Sequence, residues 1–273
     1  MRPLRDLSPE TFAQLEGLVF DLDDTVLDHG LLTGPAHDAL LRAHAHGIRL
    51  ILATGRPAGW ADVLARIWPL DGAIAENGAA ILYPPQAGAP LRPLPPAAQV
   101  RSREEQCARV QRALAALQSR YEIRLADDND LRRYDVAIDV NETVSTPPER
   151  VQELIAFAQE QGVRALASSI HVHLFCEAHD KASSVLRLLY ESSHMDPTAA
   201  CLRYAFIGDS SNDSSCFAAF RTSVGVANVV PHLRRLSIPP AYVTEAPRGA
   251  GFAELIDAWI ASKSGAPRTD VSP

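Results

Sequence analysis

Leu18-Val19-Phe20-Asp21-Leu22-Asp23-Asp24-Thr25 runs three strand-forming apolar residues straight into a cluster of carboxylates, with Asp28 close behind. Four aspartates this close repel one another unless a cation, hydrogen bonds or solvent relieve them. Outward from this stretch, Gly17 to Phe20 reads as a buried strand and Pro35 to His46 as a helix closed by Gly47. Ile48 to Ala53 reads as a second strand, and Thr54-Gly55-Arg56-Pro57 opens a helix through Ala61, Val63, Leu64 and Ile67. Further on, Ala205 to Gly208 is strand-like, Ser214 to Phe220 helix-like and Ser223 to Val226 strand-like. Strands alternating with helices predict an α/β fold with a doubly wound parallel sheet. Ligands of such sheets bind beyond the carboxyl ends of the strands, which here carry Asp21, Thr54 and Asp209.

The middle of the chain has another texture. A proline-rich stretch from Pro84 to Pro96 reads as an exposed crossing between two units. Beyond it, Cys107, Val110, Leu114 and Leu117 share one helical face, and Val136, Ile138 and Val140 alternate as in a strand. Val151, Leu154, Ile155 and Ala158 mark a second amphipathic helix, and Val163 to Phe175 is strand-like again. The pattern predicts a catalytic core over 1–81 and 177–263, an inserted α+β unit over 82–176 and a disordered tail over 264–273. His171-Val172-His173 puts two imidazoles on one strand face. No third zinc ligand accompanies them, so they are assigned to structure in the insert.

Composition narrows the classes. The 273 residues carry a net charge of −7, which argues against a nucleic-acid-binding surface and against broad attraction to anionic lipid. No apolar run approaches the roughly 20 residues that span a bilayer, and the N-terminus lacks a signal-peptide core, so a cytoplasmic protein is expected. Cys107, Cys176, Cys201 and Cys216 show no CxxC spacing and read as reduced and mostly buried.

Four pieces stand in order at matching positions: Asp21-Leu22-Asp23-Asp24-Thr25, Thr54-Gly55-Arg56, Lys181, and Gly208-Asp209-Ser210-Ser211-Asn212-Asp213. Together they resemble the haloacid dehalogenase superfamily, whose core is Rossmann-like. The 28 residues between Thr25 and Thr54 are too few for a cap domain, whereas 126 lie between Thr54 and Lys181. The insert therefore takes the second cap position (C2, type B). With Glu76-Asn77-Gly78-Ala79, Ser169 to His173 and Gly225-Val226-Ala227-Asn228, the chain is similar to subfamily IIB. That group includes sucrose-phosphate, mannosyl-3-phosphoglycerate and trehalose-phosphate phosphatases and the Cof-type sugar phosphatases.

The resemblance implies a phosphatase acting through an aspartyl phosphate. A carboxylate can attack phosphorus and split a hard hydrolysis into two easier displacements, the role of Asp21. Asp23, two residues on along an extended chain, is expected on the same side as general acid and base. Phosphate facing carboxylate needs a cation, and Mg²⁺ on Asp21, Asp209 and, by the resemblance, the Asp23 carbonyl fits. Thr54 should donate to the phosphoryl oxygens and Lys181 should neutralise developing charge. Asn212, Asp213, Gly55 and Asn77 support them, Asp213 by orienting Lys181 or through water, and Thr25 supports the turn. Arg56 is expected in a structural ion pair, Asp24 in turn or helix-start hydrogen bonding, and Asp28 in a loop crossing towards the cap. Arg132, Arg133, Asp139, Asn141 and His173 are the cap residues nominated for substrate contact. The implied partner is a small phosphorylated metabolite such as a sugar phosphate, bound by a monomer or homodimer. A sugar phosphomutase uses the same phospho-aspartate, but its cap usually sits in the first position. A receiver-like phosphate-sensing module is about half this length and carries no cap.

Overall fold

The strand Gly17–Phe20 is buried throughout and divides its side chains between two cores, Leu18 and Phe20 on one face and Val19 on the other. Its neighbours follow the same period of two. Leu50, Leu52, Ala205 and Ile207 join the first core, and Ile51, Ala53, Tyr204 and Phe206 join the second. Each fully buried Leu, Ile or Phe contributes roughly 1.5–3 kcal/mol of transfer free energy, so both faces must be covered. Helices Gly34–Ala45, Ala58–Ile67 and Arg248–Ser264 cover the first face, and Lys181–Ser193, Pro197–Arg203 and Ser214–Ala219 cover the second.

The structure is a computed structural model that describes residues 1–83, 93–94, 103–177 and 179–264. Among these residues the large sheet has nine strands. Their order is Arg2–Pro3, Tyr242–Val243, Thr222–Gly225, Tyr204–Gly208, Gly17–Phe20, Arg49–Ala53, Gly72–Ala75, Ala80–Leu82 and Pro93–Leu94. Pairing is parallel up to Gly72–Ala75 and antiparallel over the last two strands. The expected doubly wound parallel sheet is therefore present, with an antiparallel edge. That edge moves a boundary: Pro93–Leu94 pairs with Ala80–Leu82 inside the large sheet, although the sequence assigns 82–176 wholly to the insert. The remainder of the proline-rich crossing and the tail beyond Ser264 lie outside the described residues.

The insert is an antiparallel sheet in the order Arg164–Ala167, His171–Phe175, Val136–Asp139, Arg124–Leu125. Val172, Leu174, Ile138 and Val140 face helices Arg103–Arg120 and Pro148–Glu160, forming a third core with Val110, Leu114, Leu117, Val151 and Leu154. His171 and His173, alternating with Val172, are left on the face towards the large sheet. The cysteines differ from expectation. All four are free; Cys216 is buried, Cys176 and Cys201 are half-buried, and Cys107, near the start of its helix, is exposed.

A buried carboxylate, Glu76, is one of the groups that join insert and core. Glu76 follows Gly72–Ala75 in a turn where Glu76, Asn77 and Gly78 all have positive φ. Its side chain accepts hydrogen bonds from the amides of Ala58 in the core and of Arg133, Tyr134 and Asp135 in the insert. Burial, then the neighbouring Asp135, push its carboxyl up to about 7 against the pull of these amides. Gly78 completes the turn at φ +113°, and a Cβ there would stand 2.4 Å from the carbonyl oxygen of Asp180. Gly78→Ala combines a backbone conformation that L-residues avoid with a clash against main chain. A loss of about 3 kcal/mol or more is expected from urea unfolding; wild-type stability would show that the turn can relax.

Candidate active site

Asp21 is the first residue beyond the strand Gly17–Phe20, its amide donating to Ile207 O of the neighbouring strand. Lys181 is the first residue of its helix, whose N-cap Asp180 accepts from Ser183 N. The Lys181 ammonium, completely buried, lies 2.6 Å from both Asp21 Oδ1 and Asp213 Oδ1. The other oxygen of Asp213 accepts from the amides of Asp209 and Ser210, which closes the short turn after Tyr204–Gly208. Against its burial, Asp21 and Asp213 hold the Lys181 ammonium above its ordinary value. Burial, opposed by Lys181 and reinforced by Asp213, pushes the Asp21 carboxyl up to about 7. Burial and then Asp21 and Asp213 push Asp209 well above the carboxylate range.

This is an acidic site short of positive charge. Asp21, Asp209 and Asp213 each bring a carboxylate oxygen within 4.8 Å of the others, and Asp209 Oδ1 is buried with no hydrogen-bond partner among the described residues. An all-oxygen donor set with an orphaned carboxylate oxygen fits a hard divalent cation. Asn228 Nδ2 reaches Asp209 Oδ2 at 3.4 Å and also binds Asp24 O.

Asp23 is held differently. The Arg56 guanidinium grips its carboxylate from Nε and a terminal nitrogen at 2.8–3.1 Å, and also pairs with Asp128 at 3.2 Å and Glu142 at 2.7 Å from the cap. The expected structural ion pair of Arg56 thus includes a residue expected to be catalytic. Asp21 and Asp23 both line one small cavity, with Gly55, Ser168, Ser169, Ile170, His171, His173, Ser210 and Asn212. Thr54 is fully buried at the next strand end, its hydroxyl oxygen accepting from Arg56 N. Thr25 Oγ1 lies 3.4 Å from Asp21 Oδ2. Asp24 takes a left-handed turn at φ 55° and its carboxylate pairs with Arg248; no helix starts there. Asp28 sits in a hairpin formed by Leu27–Asp28 and Leu31–Leu32, and is not part of a loop crossing to the cap.

Of the five nominated cap residues, His173 lines the cavity and four do not. Arg132 is spent on Asp128, Asp135 and Gly55 O. Arg133 faces another cavity, with Ala79, Gln106, Tyr134 and His179. The Asp139 carboxylate accepts from the amides of Glu142 and Thr143 and from the Thr143 hydroxyl, which shapes the loop. Asn141 is exposed and donates to Ser169 O. A strand-end motif places core residues, but a cap loop is aimed by packing that short-range pattern does not encode. Asp128, Asp135 and Glu142 went unread for that reason; Glu76 and Asn228 lay in quoted motifs without an assigned role.

Fold and site define a capped, doubly wound α/β enzyme with an acidic centre at its strand ends. The profile of the haloacid dehalogenase-like hydrolases matches residues 18–95 of the chain. The chain is 28% identical over 246 residues to a phosphoglycolate phosphatase of Metallosphaera sedula, covering 88% of this chain and 96% of that one. Its fold is that of a Thermoplasma acidophilum protein, with TM-score 0.69, 18% identity and coverage of 90% and 98% of the two chains. It is also that of the sucrose-phosphatase of a Synechocystis species, with TM-score 0.61, 20% identity and the same coverage.

The Arg56–Glu142–His171 contact ties cap to core. The His171 hydrogen bond and the Arg56 charge hold the Glu142 carboxyl down at about 2 against partial burial. A carboxyl lowered on folding from 4.5 to about 2 stabilises the protein above about pH 4.5 and loses that contribution as pH falls towards 2. Glu142→Gln should therefore be less stable than wild type near neutrality, with the gap in urea midpoints narrowing from about pH 5 to about pH 3. A gap that does not change with pH would contradict an ionised Glu142.

Proposed function

We propose that the protein is a Mg²⁺-dependent phosphomonoesterase that hydrolyses a small phosphorylated metabolite through an aspartyl phosphate on Asp21. The observation that carries this reading is the meeting of Asp21, Lys181, Asp209 and Asp213 at adjoining strand ends, with Asp23 facing the same cavity. In the first displacement an Asp21 oxygen bonds to phosphorus, the bond from phosphorus to the ester oxygen breaks, and Asp23 gives that oxygen a proton. In the second, Asp23 takes a proton from water as its oxygen bonds to phosphorus, the Asp21–phosphorus bond breaks, and inorganic phosphate leaves. Lys181 holds charge beside the nucleophile and Thr54 lies at the next strand end to bind phosphoryl oxygens. Asp21 and Asp209, with the Asp23 carbonyl, would hold Mg²⁺, which supplies charge neutralisation and orients the phosphoryl oxygens. Asp213, engaged on both oxygens, acts on Lys181 and the turn.

Arg56 makes the acid/base depend on the cap, since one guanidinium binds Asp23 and the cap carboxylates of Asp128 and Glu142. Docking of the cap and orientation of Asp23 are thereby a single event. The phosphatase names of relatives support a small metabolite ester, with sugar phosphates among the candidates.

The test is release of p-nitrophenol from p-nitrophenyl phosphate. Turnover should require added Mg²⁺ after treatment with a chelator, and Asp21→Asn should lower kcat by about 10³-fold or more, as expected for loss of a nucleophile. Metal-independent turnover, or an Asp21→Asn variant as active as wild type, would overturn the assignment.

A further inference from the structure

The two oxygens of the Asp209 carboxylate stand in different situations. Oδ1 is buried with no hydrogen-bond partner among the described residues, whereas Oδ2 lies 3.4 Å from Asn228 Nδ2. The same nitrogen lies 2.9 Å from the main-chain oxygen of Asp24, one residue past Asp23. An amide nitrogen carries two protons, so Asn228 donates to both oxygens at once. The orientation of the amide follows from its other end. Asn228 Oδ1 accepts from Arg248 N at 2.9 Å, and turning the amide over would set its nitrogen against an N–H and its oxygen against a carbonyl and a carboxylate.

Both main-chain partners of Asn228 take a conformation that side chains avoid. Asp24 has φ 55° and Arg248 has φ 50°, and Arg248 Nε also donates to Asp24 Oδ1 at 2.9 Å. Left-handed backbone outside glycine is strained and persists where the surrounding contacts over-determine it, which is most often at a functional site. Here those contacts close a ring: Asn228 Nδ2 to Asp24 O, Arg248 N to Asn228 Oδ1, and Arg248 Nε to Asp24 Oδ1. The ring draws together the segment Asp21 to Asp24, the residues after the strand Thr222–Gly225 and the first residue of the helix Arg248–Ser264. Asp209 is attached to it through Oδ2 alone. Among the described residues, neither Asn228 nor Arg248 lines the cavity of Asp21 and Asp23, so their reach into the site runs through Asp209 and the main chain beside Asp23.

We infer that Asn228 is a positioning residue for the metal centre. By holding Asp209 Oδ2 and the main chain after Asp23 on one nitrogen, it leaves Asp209 Oδ1 as the oxygen presented to a divalent cation and fixes the carboxylate relative to the segment Asp21 to Asp24. Without that hold the carboxylate turns freely about its Cβ–Cγ bond, and cation binding must then order it. Hydrogen-bonding partners of metal ligands commonly set metal affinity by about 10–100-fold for this reason. The inference rests on the reading of Asp209 as a Mg²⁺ ligand.

Isothermal titration calorimetry of Mg²⁺ into the chelator-treated full chain, without substrate, provides the test. Wild type should bind Mg²⁺, and Asn228→Ala should bind it about tenfold more weakly or worse. The Mg²⁺ concentration that gives half-maximal release of p-nitrophenol from p-nitrophenyl phosphate should rise by the same factor. Asn228→Ser, whose hydroxyl stops one bond short of the amide nitrogen, should show the same loss and serves if the alanine variant does not fold. Urea unfolding of the metal-free proteins separates positioning from a purely structural role. A residue that only closes the turn would lower the urea midpoint and leave the Mg²⁺ dissociation constant unchanged, and that outcome overturns the inference while the metal reading stands. A wild-type protein that binds no Mg²⁺ overturns the metal reading and the inference with it.

Discussion

The buried ammonium of Lys181, shared between Asp21 and Asp213, is the contact on which the rest of the site depends. It draws together the first residue after the strand Gly17–Phe20, the first residue of a helix 160 positions later, and the turn after Tyr204–Gly208. Removing one member of a buried ion pair typically costs 3–5 kcal/mol because a desolvated charge is left without a partner. Two carboxylates for one ammonium still leave a negative surplus, deepened by Asp209. The protein keeps a deficit of positive charge in a dry place, and a divalent cation and its anionic ligand together are what such a place can hold.

Around this centre, buried charges couple the cap to the core in two ways. Glu76 receives three successive amides from residues 133–135 of the cap, a main-chain contact that is indifferent to the side chains supplied. Arg56 instead spans Asp23 and two cap carboxylates. Both are shielded from water, and neither can be satisfied if the cap moves away. The position of the cap is thus written into the hydrogen bonding of Asp23 and of the turn that holds Asn77. The Asp135–His173 pair extends the same logic, since Arg132 of the cap binds Asp135 and also Gly55 O of the core.

Much of this protein was legible along the chain because its signals are local. Continuous apolar runs ending in Asp21, Thr54 and Gly208-Asp209 mark buried parallel strands, and the strand end of an α/β sheet is where chemistry sits, so order and spacing sufficed to nominate the core residues. What stayed illegible is contact between segments of no shared pattern. Asp128, Asp135 and Glu142 look like ordinary surface carboxylates in sequence, yet each neutralises a buried arginine or orients a buried histidine. Arg132 and Asp139 look like substrate ligands and are consumed by structure. The antiparallel edge strand Pro93–Leu94 was hidden for a related reason: two residues in a proline-rich stretch carry no periodicity, and only pairing with Ala80–Leu82 makes them a strand.

The sequence by itself determined the class of fold, the second-position cap and the acidic strand-end motifs, because hydrophobic period and motif spacing act over a few residues. Only the tertiary structure decided how the four opening aspartates divide. Asp21 goes to Lys181, Asp23 to Arg56, Asp24 to Arg248 and Asp28 to a hairpin. The partners of the first three come from different and distant segments, and a carboxylate's role is set by the charge that burial brings beside it.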